Sequence, residues 1–165
     1  MRLHRFYIRE DIDDTQITIT DTDLVHQWKN VFRYQVGTQV IVFTGDGYDY
    51  LCMIVELHTS RSVLEITSRR KSILPSRTIG LIIALTKKDT LEFIVQKATE
   101  LGVSDIYPVQ AERSEKKSFN SARLEKIAIE AAEQSGRGDI PHVHPLQTFE
   151  KILENELLTI KFIPV

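Results

Sequence analysis

The feature that most constrains this fold is a change of hydrophobic period within residues 78–110. Residues 78–86 form an unbroken apolar run rich in β-branched side chains, which is typical of a strand buried on both faces. From Asp89 onward, apolar residues recur at the three- and four-residue spacing of a helix that buries one side. A second apolar run, residues 105–111, follows. This order predicts a βαβ unit with parallel strands and a right-handed crossover.

The ends of the predicted helix carry their own signals. Asp89 is expected to cap its start, and Glu92, three residues on, to complete a capping box. Gly102 is expected to adopt the left-handed conformation that ends many helices.

Composition excludes several protein classes. With 165 residues and 42% apolar side chains, the chain can form one ordinary domain or two small ones. Basic and acidic residues number 21 and 23, so any surface that attracts nucleic acid must be local. The single cysteine, Cys52, excludes an internal disulfide and a cysteine metal cluster and is expected to be a small buried hydrophobe. No apolar run approaches the roughly 20 residues of a membrane helix, and the expected location is cytoplasmic.

The first 70 residues are predicted to form a small β-barrel. Gly45 and Gly47 flank Asp46 between two apolar runs, which is a strong hairpin signal. A short helix over residues 23–33, capped by Asp21 or Thr22, should interrupt the strands. Its buried side is predicted to hold Leu24, Trp28, Val31 and Phe32. The strands are predicted at residues 4–8, 16–20, 38–44, 48–57 and 62–67. Closure into a barrel would remove exposed edges.

A domain boundary is predicted within residues 68–77, dividing residues 1–70 from residues 75–165. This segment carries Arg69, Arg70 and Lys71. It can be a solvated linker, or its cations can form a local patch that binds phosphate.

Polar residues follow the second predicted parallel strand. Because ligands in open α/β sheets bind beyond the carboxyl ends of the strands, Arg113 is a candidate site residue, although an exposed charged loop is the alternative. A helix is predicted from about Asn120. Along it runs a polar stripe of Glu130, Glu133, Gln134 and Arg137, which is also compatible with a plain Glu133–Arg137 ion pair.

The rest of the second half gives weaker signals. His142 and His144 are separated by one residue, a spacing that two metal ligands can have. Because no third ligand stands at a useful spacing, a strand-like loop is expected here and no metal. Residues 147–157 are predicted to form a helix, and residues 158–165 a strand.

The order of these features resembles the RsmE family, whose members methylate N3 of a uridine in small-subunit ribosomal RNA with S-adenosylmethionine. The resemblance extends over nearly all 165 residues. Phe32 stands where the family has leucine. The matching residues are Arg5, Phe6, Tyr7, His26, Val31, Arg33, Gly37, Lys88, Asp89, Glu92, Phe93, Gln96, Lys97, 100–103, 112–114, 127–135 and Arg137.

This resemblance implies a PUA-like barrel that grips RNA, followed by an α/β domain of the SPOUT type with a trefoil knot. In the family, the Gly-Pro-Glu-Gly-Gly cofactor loop and the knotted final strand come later than the position of Val165. Ile163 and Pro164 would then form one rim of a donor pocket that lies largely outside this chain. The domain is accordingly expected to be incomplete at its carboxyl end, and two alternatives follow: part of a methyltransferase, or an RNA-binding or ribosome-assembly module without that activity.

Partners and oligomeric state also follow from the resemblance. The expected partner is small-subunit ribosomal RNA or the small subunit, with no membrane contact. The family is expected to be homodimeric through its knot, whereas these 165 residues alone are expected to be monomeric or prone to aggregate.

The same resemblance suggests roles for individual residues. Uracil N3 carries a proton, so methylation needs a base or a group that stabilises the developing anion. Arg113 and Arg137 are candidates to face a uracil oxygen, Gln134 to bond the base edge, and Glu130 to orient an arginine or accept the proton. The residues expected to hold RNA phosphates are Arg5, Arg33, Arg69, Arg70, Lys71 and Lys88.

Overall fold

The computed structural model describes residues 3–12, 15–111 and 118–155. They fall into two compact units. Unit 1 comprises Met1–Ser76 and Ile129–Ile140, and unit 2 comprises Arg77–Ala128 and Pro141–Val165.

Unit 1 is built on one mixed sheet of five strands, curled into a half-barrel. Its strand order is β1-β3-β4-β5-β2, in which β1 runs parallel to β3 and the other neighbours are antiparallel. All five predicted strands are present. Among the described residues β1 and β2 remain the two edges, so the sheet curls without the predicted closure. The strands are β1 Arg5–Tyr7, β2 Gln16–Ile19, β3 Gln39–Phe43, β4 Tyr48–Leu57 and β5 Ser62–Lys71.

The predicted hairpin joins β3 to β4. Gly45 and Gly47 have φ angles of +91° and +89°, and the Asp46 carboxylate accepts the Tyr48 N–H at 3.0 Å. Only glycine adopts such angles without a steric cost, so the two glycines set the turn.

Strand β5 is longer than predicted. Its pairing with β4 continues through Tyr50↔Arg69 and Tyr48↔Lys71, so the three adjacent cations lie on a strand. The prediction of a linker at these positions is wrong. A run of charged residues can continue a β-strand when its backbone pairs with a neighbouring strand and its side chains reach solvent.

The predicted helix after β2 is confirmed only in its first half. Helix α1, Thr22–His26, is capped by Asp21, whose carboxylate accepts the N–H groups of Asp23 and Leu24. A π-helical turn, Gln27–Val31, then replaces the predicted α-helix. Because this wider turn changes the rotation per residue, Val31 is 66% exposed rather than buried.

The core of unit 1 is apolar and aromatic. Trp28 is fully buried and meets Phe6 edge-on at 5.3 Å, with Val40 and Ile54 in the same cluster. Cys52 is also fully buried, as predicted, and burial raises the pKa of its thiol to about 12.

Unit 2 contains the βαβ unit that the sequence predicts. Strand β6, Gly80–Ala84, pairs in parallel with β7, Asp105–Gln110, and helix α2, Lys88–Glu100, connects them. Two short strands, β8 and β9, also lie parallel to β7. The remaining elements are helix α3 Ser121–Ser135, whose second half belongs to unit 1, β8 His142–Val143, β9 Gln147–Thr148 and helix α4 Phe149–Asn155. The strand predicted over residues 158–165 lies outside the described residues.

The two ends of α2 test two predictions. The predicted capping box is wrong: Lys87 occupies the N-cap position without a side-chain cap, and Glu92 pairs instead with Arg123. The Glu92 carboxylate binds the Arg123 guanidinium rather than a backbone N–H at the start of α2. Gly102 has φ +90°, which confirms the predicted left-handed end.

The two histidines of unit 2 contact residues of β7 and of the segment just before it. His144 pairs with Asp105 at 2.9 Å and stacks on Tyr107 at 4.0 Å, and the His142 N–H donates to the Ser104 carbonyl. Within residues 3–12, 15–111 and 118–155, no three His, Cys, Asp or Glu side chains form a possible metal cluster. Across the same residues, no helix is long and apolar enough to cross a bilayer.

Gly138 is expected to tolerate no side chain. In unit 1 its N–H donates to the Ile73 carbonyl at 2.8 Å, and an added Cβ would lie 2.1 Å from the Ser72 Cβ. Gly138→Ala should therefore lower the free energy of unfolding by about 2 kcal/mol in urea titrations. Ser72→Gly removes the clashing atom, so the double variant should lose at least about 1 kcal/mol less than the sum of the single variants. Additive losses would contradict this close approach.

Candidate functional site

A cavity of about 640 Å³ lies in unit 2, just beyond the carboxyl end of β6. Its volume is within the range of small-ligand sites, and its position is where open α/β sheets bind ligands. The first turns of α2 and α3 form part of its wall, so the positive ends of two helix dipoles lie beside it. The lining residues are Leu85, Thr86, Lys88, Leu91, Glu92, Ser118, Phe119, Asn120, Arg123 and Leu124.

Charged side chains in this cavity surround one carboxylate. Arg123 donates to Glu92 Oε2 through Nη2 at 3.1 Å and Nε at 3.3 Å, and Lys88 Nζ lies 3.8 Å from Oε1. Oε1 is buried and accepts no hydrogen bond from the described residues. The cavity can thus bind a ligand that carries an anionic group, because two cations share one carboxylate there.

The start of α3 positions Arg123. The Asn120 side chain accepts the backbone N–H of Arg123 at 3.0 Å, which is the N-cap arrangement expected for asparagine. The cap fixes the first turn of the helix and directs Arg123 toward Glu92 on α2. Sequence reasoning missed this pair, since its members are 31 positions apart.

The residues predicted to act on uracil lie partly within the described region. Arg113 lies outside it, as do Ile163 and Pro164, which are predicted to form a rim of the donor pocket. In unit 1, Glu130 and Gln134 are exposed near the end of α3. Whether Arg113 and Arg137 converge on one base therefore stays a prediction.

Arg137 is held tightly inside unit 1. Its side chain is 6% exposed, and its guanidinium binds both carboxylate oxygens of Asp139, at 2.7 and 2.8 Å. Glu133 does not pair with Arg137 among the described residues, so the simple ion pair considered from the sequence is absent there. The Asp139 contact fixes the orientation of the guanidinium.

Glu133, in unit 1, has a strongly perturbed carboxyl group. It accepts the Tyr7 N–H at 2.9 Å. Burial raises its pKa from 4.5 to about 7, and repulsion from Glu130 adds to this, whereas the Tyr7 N–H and the Arg5 charge act in the opposite direction. A carboxyl group that titrates near neutrality can accept or release a proton there, a property that sequence spacing did not reveal.

Arg5 occupies the interior of unit 1 rather than the expected phosphate-binding surface. Its side chain is 8% exposed and pairs with Asp49 at 2.6 Å, while its guanidinium lies 4.1 Å from the centre of the Phe43 ring. It also donates to the carbonyls of Ala132 and Arg137. The expectation that Arg5 contacts RNA is thus corrected, because its donors serve protein acceptors.

Asp49 is the centre of this network and was not predicted from the sequence. Ser72 Oγ donates to it at 2.7 Å, and Arg70 lies at 3.2 Å. Burial raises its pKa, but hydrogen bonds from Arg5 and Ser72, the Arg5 charge and the Arg70 bond together lower the pKa below the ordinary value. The available signal was a carboxylate next to the apolar run of β4.

The other predicted phosphate contacts are exposed. In unit 1, Arg33 and Lys71 are exposed, Arg69 lies 5.1 Å from the centre of the Tyr48 ring, and Arg70 is exposed beside Asp49. In unit 2, Lys88 is exposed at the cavity.

Comparison with known proteins identifies similar chains. A family model described as an RNA methyltransferase domain matches residues 74–164. The ribosomal RNA small subunit methyltransferase E of Bacillus subtilis is 32% identical over 164 residues, covering 92% of this chain and 63% of that protein. The protein of the same name from Rickettsia conorii is 28% identical, with 93% and 64% coverage.

Solved structures show the same similarity. The crystal structure of the Neisseria gonorrhoeae protein of that name, bound to S-adenosyl methionine, has a TM-score of 0.85 and 29% identity, covering 94% of this chain and 66% of that one. This chain therefore spans less than two thirds of the length of these three relatives.

Proposed function

The chain belongs to the RsmE family of RNA methyltransferases, and we propose that it acts in the transfer of a methyl group from S-adenosylmethionine to N3 of a uridine in small-subunit ribosomal RNA. The observation that carries this proposal is the family match over residues 74–164, which include the cavity beyond β6. The proposed partner is the ribosomal RNA of the small subunit. A homodimer is proposed for the family, whereas these 165 residues alone are proposed to be monomeric or prone to aggregate.

The cavity of unit 2 fits a nucleotide of the RNA substrate. Lys88 and Arg123 together exceed the single negative charge of Glu92, so they supply positive charge for a phosphate. Leu91 and Phe119 offer apolar surface to the base. We assign this cavity to RNA and the methyl donor to a rim that includes Ile163 and Pro164.

The chemistry requires that N3 lose its proton and gain a methyl group. S-adenosylmethionine supplies an electrophilic methyl on sulfur and leaves as the neutral thioether. For the protein, we propose that Arg113 and Arg137 stabilise the negative charge on the uracil oxygens. Gln134 would bond the base edge, and Glu130 would accept the proton or orient an arginine.

The architecture we propose is a PUA-like domain over residues 1–70 and a SPOUT-type domain over residues 75–165. The separate sheets β1–β5 and β6–β9 support this division, since every strand of the first precedes residue 72 and every strand of the second follows residue 79. Exposed Arg33, Arg69, Arg70 and Lys71 would bind RNA phosphates, so RNA affinity should fall as salt rises.

A methyl-transfer assay tests the proposed function. The protein is incubated with donor carrying a tritiated methyl group and small subunits that lack the modification, and the RNA is digested and analysed by mass spectrometry. We expect N3-methyluridine. RNA binding without incorporation would instead support an RNA-binding or assembly module, and methylation at another atom would overturn the proposed chemistry.

A charge-removing variant tests the role of the cavity. Arg123→Gln should lower kcat/KM for RNA by about tenfold, because it removes a charge-assisted contact. Lys126→Gln, which changes an exposed cation of the same helix outside the cavity, is the matched control and should lower kcat/KM less than about twofold. Equal effects would show that the cavity does not bind RNA.

A further inference from the structure

We propose that His4, Phe32, Arg33 and Tyr34 form a surface of unit 1 that stacks an unpaired RNA base and binds its phosphate. We call this surface the aromatic platform. The inference rests on the proposed RNA substrate and adds a site that the methyl-transfer chemistry does not require.

The platform consists of three rings close together at the surface. Phe32 and Tyr34 are stacked with centroids 5.2 Å apart and planes 14° apart. His4 lies 4.7 Å from Phe32, and its Nδ1 lies 2.5 Å from the Tyr34 hydroxyl. His4 is exposed, and the other two rings are half-buried. Proteins use such rings to stack single-stranded bases, because every base has an aromatic face.

Arg33 lies between two of these rings along the chain and adopts a strained backbone conformation. Its φ of +54° is the only positive value among the described non-glycine residues. Its side chain is exposed and forms no hydrogen bond or ion pair with the described residues. This left-handed residue ends the helical turn, because the Tyr34 N–H that follows it bonds the Trp28 carbonyl, and the exposed Arg33 side chain is left available for a ligand.

The chain before the platform is also irregular. The π-helical turn Gln27–Val31 leads into Phe32, whose N–H donates to the Gln27 carbonyl at 3.0 Å. The Tyr34 N–H donates to the carbonyl of buried Trp28 at 2.9 Å. Single π-helical turns often occur at functional sites. Here the turn and the Trp28 anchor hold the rings in place before any ligand arrives, which lowers the entropy lost on binding.

Charge favours a nucleotide as the occupant. Arg33, which lies between two of the rings along the chain, and the exposed Lys29, four residues earlier, supply positive charge, which suits a phosphate next to a stacked base. An uncharged apolar partner would gain nothing from these cations.

The deciding experiment combines affinity and stability in one variant. A fluorescein-labelled ten-residue oligouridine is titrated with the protein and followed by anisotropy. Arg33→Gly should weaken binding at least fivefold, while glycine relieves the strained φ and raises Tm by about 2–4 °C. Arg9→Ala removes an equally exposed arginine of unit 1 and should change affinity less than twofold.

Ring variants and a second RNA separate stacking from simple charge attraction. Tyr34→Leu should weaken oligouridine binding at least threefold, and a base-paired RNA of the same length should bind more weakly than oligouridine. Unchanged affinity in Arg33→Gly and Tyr34→Leu, or preferred binding of the duplex, would overturn the platform. The methyl-transfer assay measures formation of N3-methyluridine, whereas the titrations measure RNA affinity. Either proposal can therefore fail while the other stands.

Discussion

Replacing Arg5 by methionine is expected to lower the free energy of unfolding by about 3–5 kcal/mol, because the change leaves the buried Asp49 carboxylate without its main cationic partner. The carbonyls of Ala132 and Arg137 each lose the Arg5 donor as well, and the contact with the Phe43 ring is lost. Urea unfolding, followed by the fluorescence of Trp28, measures the change.

Two further variants identify the cause of this loss. Arg9→Met removes an exposed arginine of the same unit and should change stability by less than about 0.5 kcal/mol. Adding Asp49→Leu to Arg5→Met removes the orphaned charge and should recover at least about 1 kcal/mol. An Arg5→Met loss below about 1 kcal/mol would show that the buried pair is not what stabilises unit 1.

Glu133→Gln is expected to stabilise the protein by up to roughly 3 kcal/mol at pH 8 and to have little effect at pH 4. The folded protein holds the Glu133 proton with a pKa of about 7, whereas an ordinary glutamate releases it near 4.5. Since the folded state binds the proton more tightly, the stability that Glu133 contributes is fully present below pH 4.5 and is lost as pH rises through 7. A glutamine carries no charge at any pH and still accepts the Tyr7 N–H.

Urea titrations from pH 4 to pH 8 provide the measurement. Glu130→Gln, a change at an exposed carboxylate one turn away, is the matched control and should alter stability by less than about 1 kcal/mol. Asp49 acts in another window, because its lowered pKa gives stability that is lost only as the solution becomes strongly acidic. Parallel pH profiles for wild type and Glu133→Gln would contradict the raised pKa.

Local signals predicted much of the fold. The βαβ unit, the Asp46 hairpin, the Asp21 cap and the left-handed Gly102 each depend on residues close together in the sequence, and each is confirmed. The predicted strands of unit 1 are present for the same reason. Errors arose where a distant partner intervened. Glu92 pairs with Arg123 instead of capping α2. Pairing with β4 extends β5 through positions that were predicted to be a linker.

The candidate site was less predictable. Spacing and family motifs pointed to the segment after β7, whereas the cavity lies beyond the carboxyl end of β6, and they did not identify Glu92 and Arg123 as neighbours. They also placed Arg5 among the RNA contacts, although its partner Asp49 is 44 residues away. Residue type alone does not separate a surface cation from a buried one, since that choice depends on which acceptors the fold brings to it.

The sequence by itself determined which segments become strands and helices and where several of them turn, because hydrophobic periodicity, capping residues and glycine positions act over a few residues. Its motifs also determined the family to which the chain belongs. Tertiary structure alone decided the protonation and exposure of the key side chains. Asp49 stays charged and Glu133 holds its proton near neutrality because burial and distant partners set the electrostatic environment of each, and no spacing rule encodes those distances.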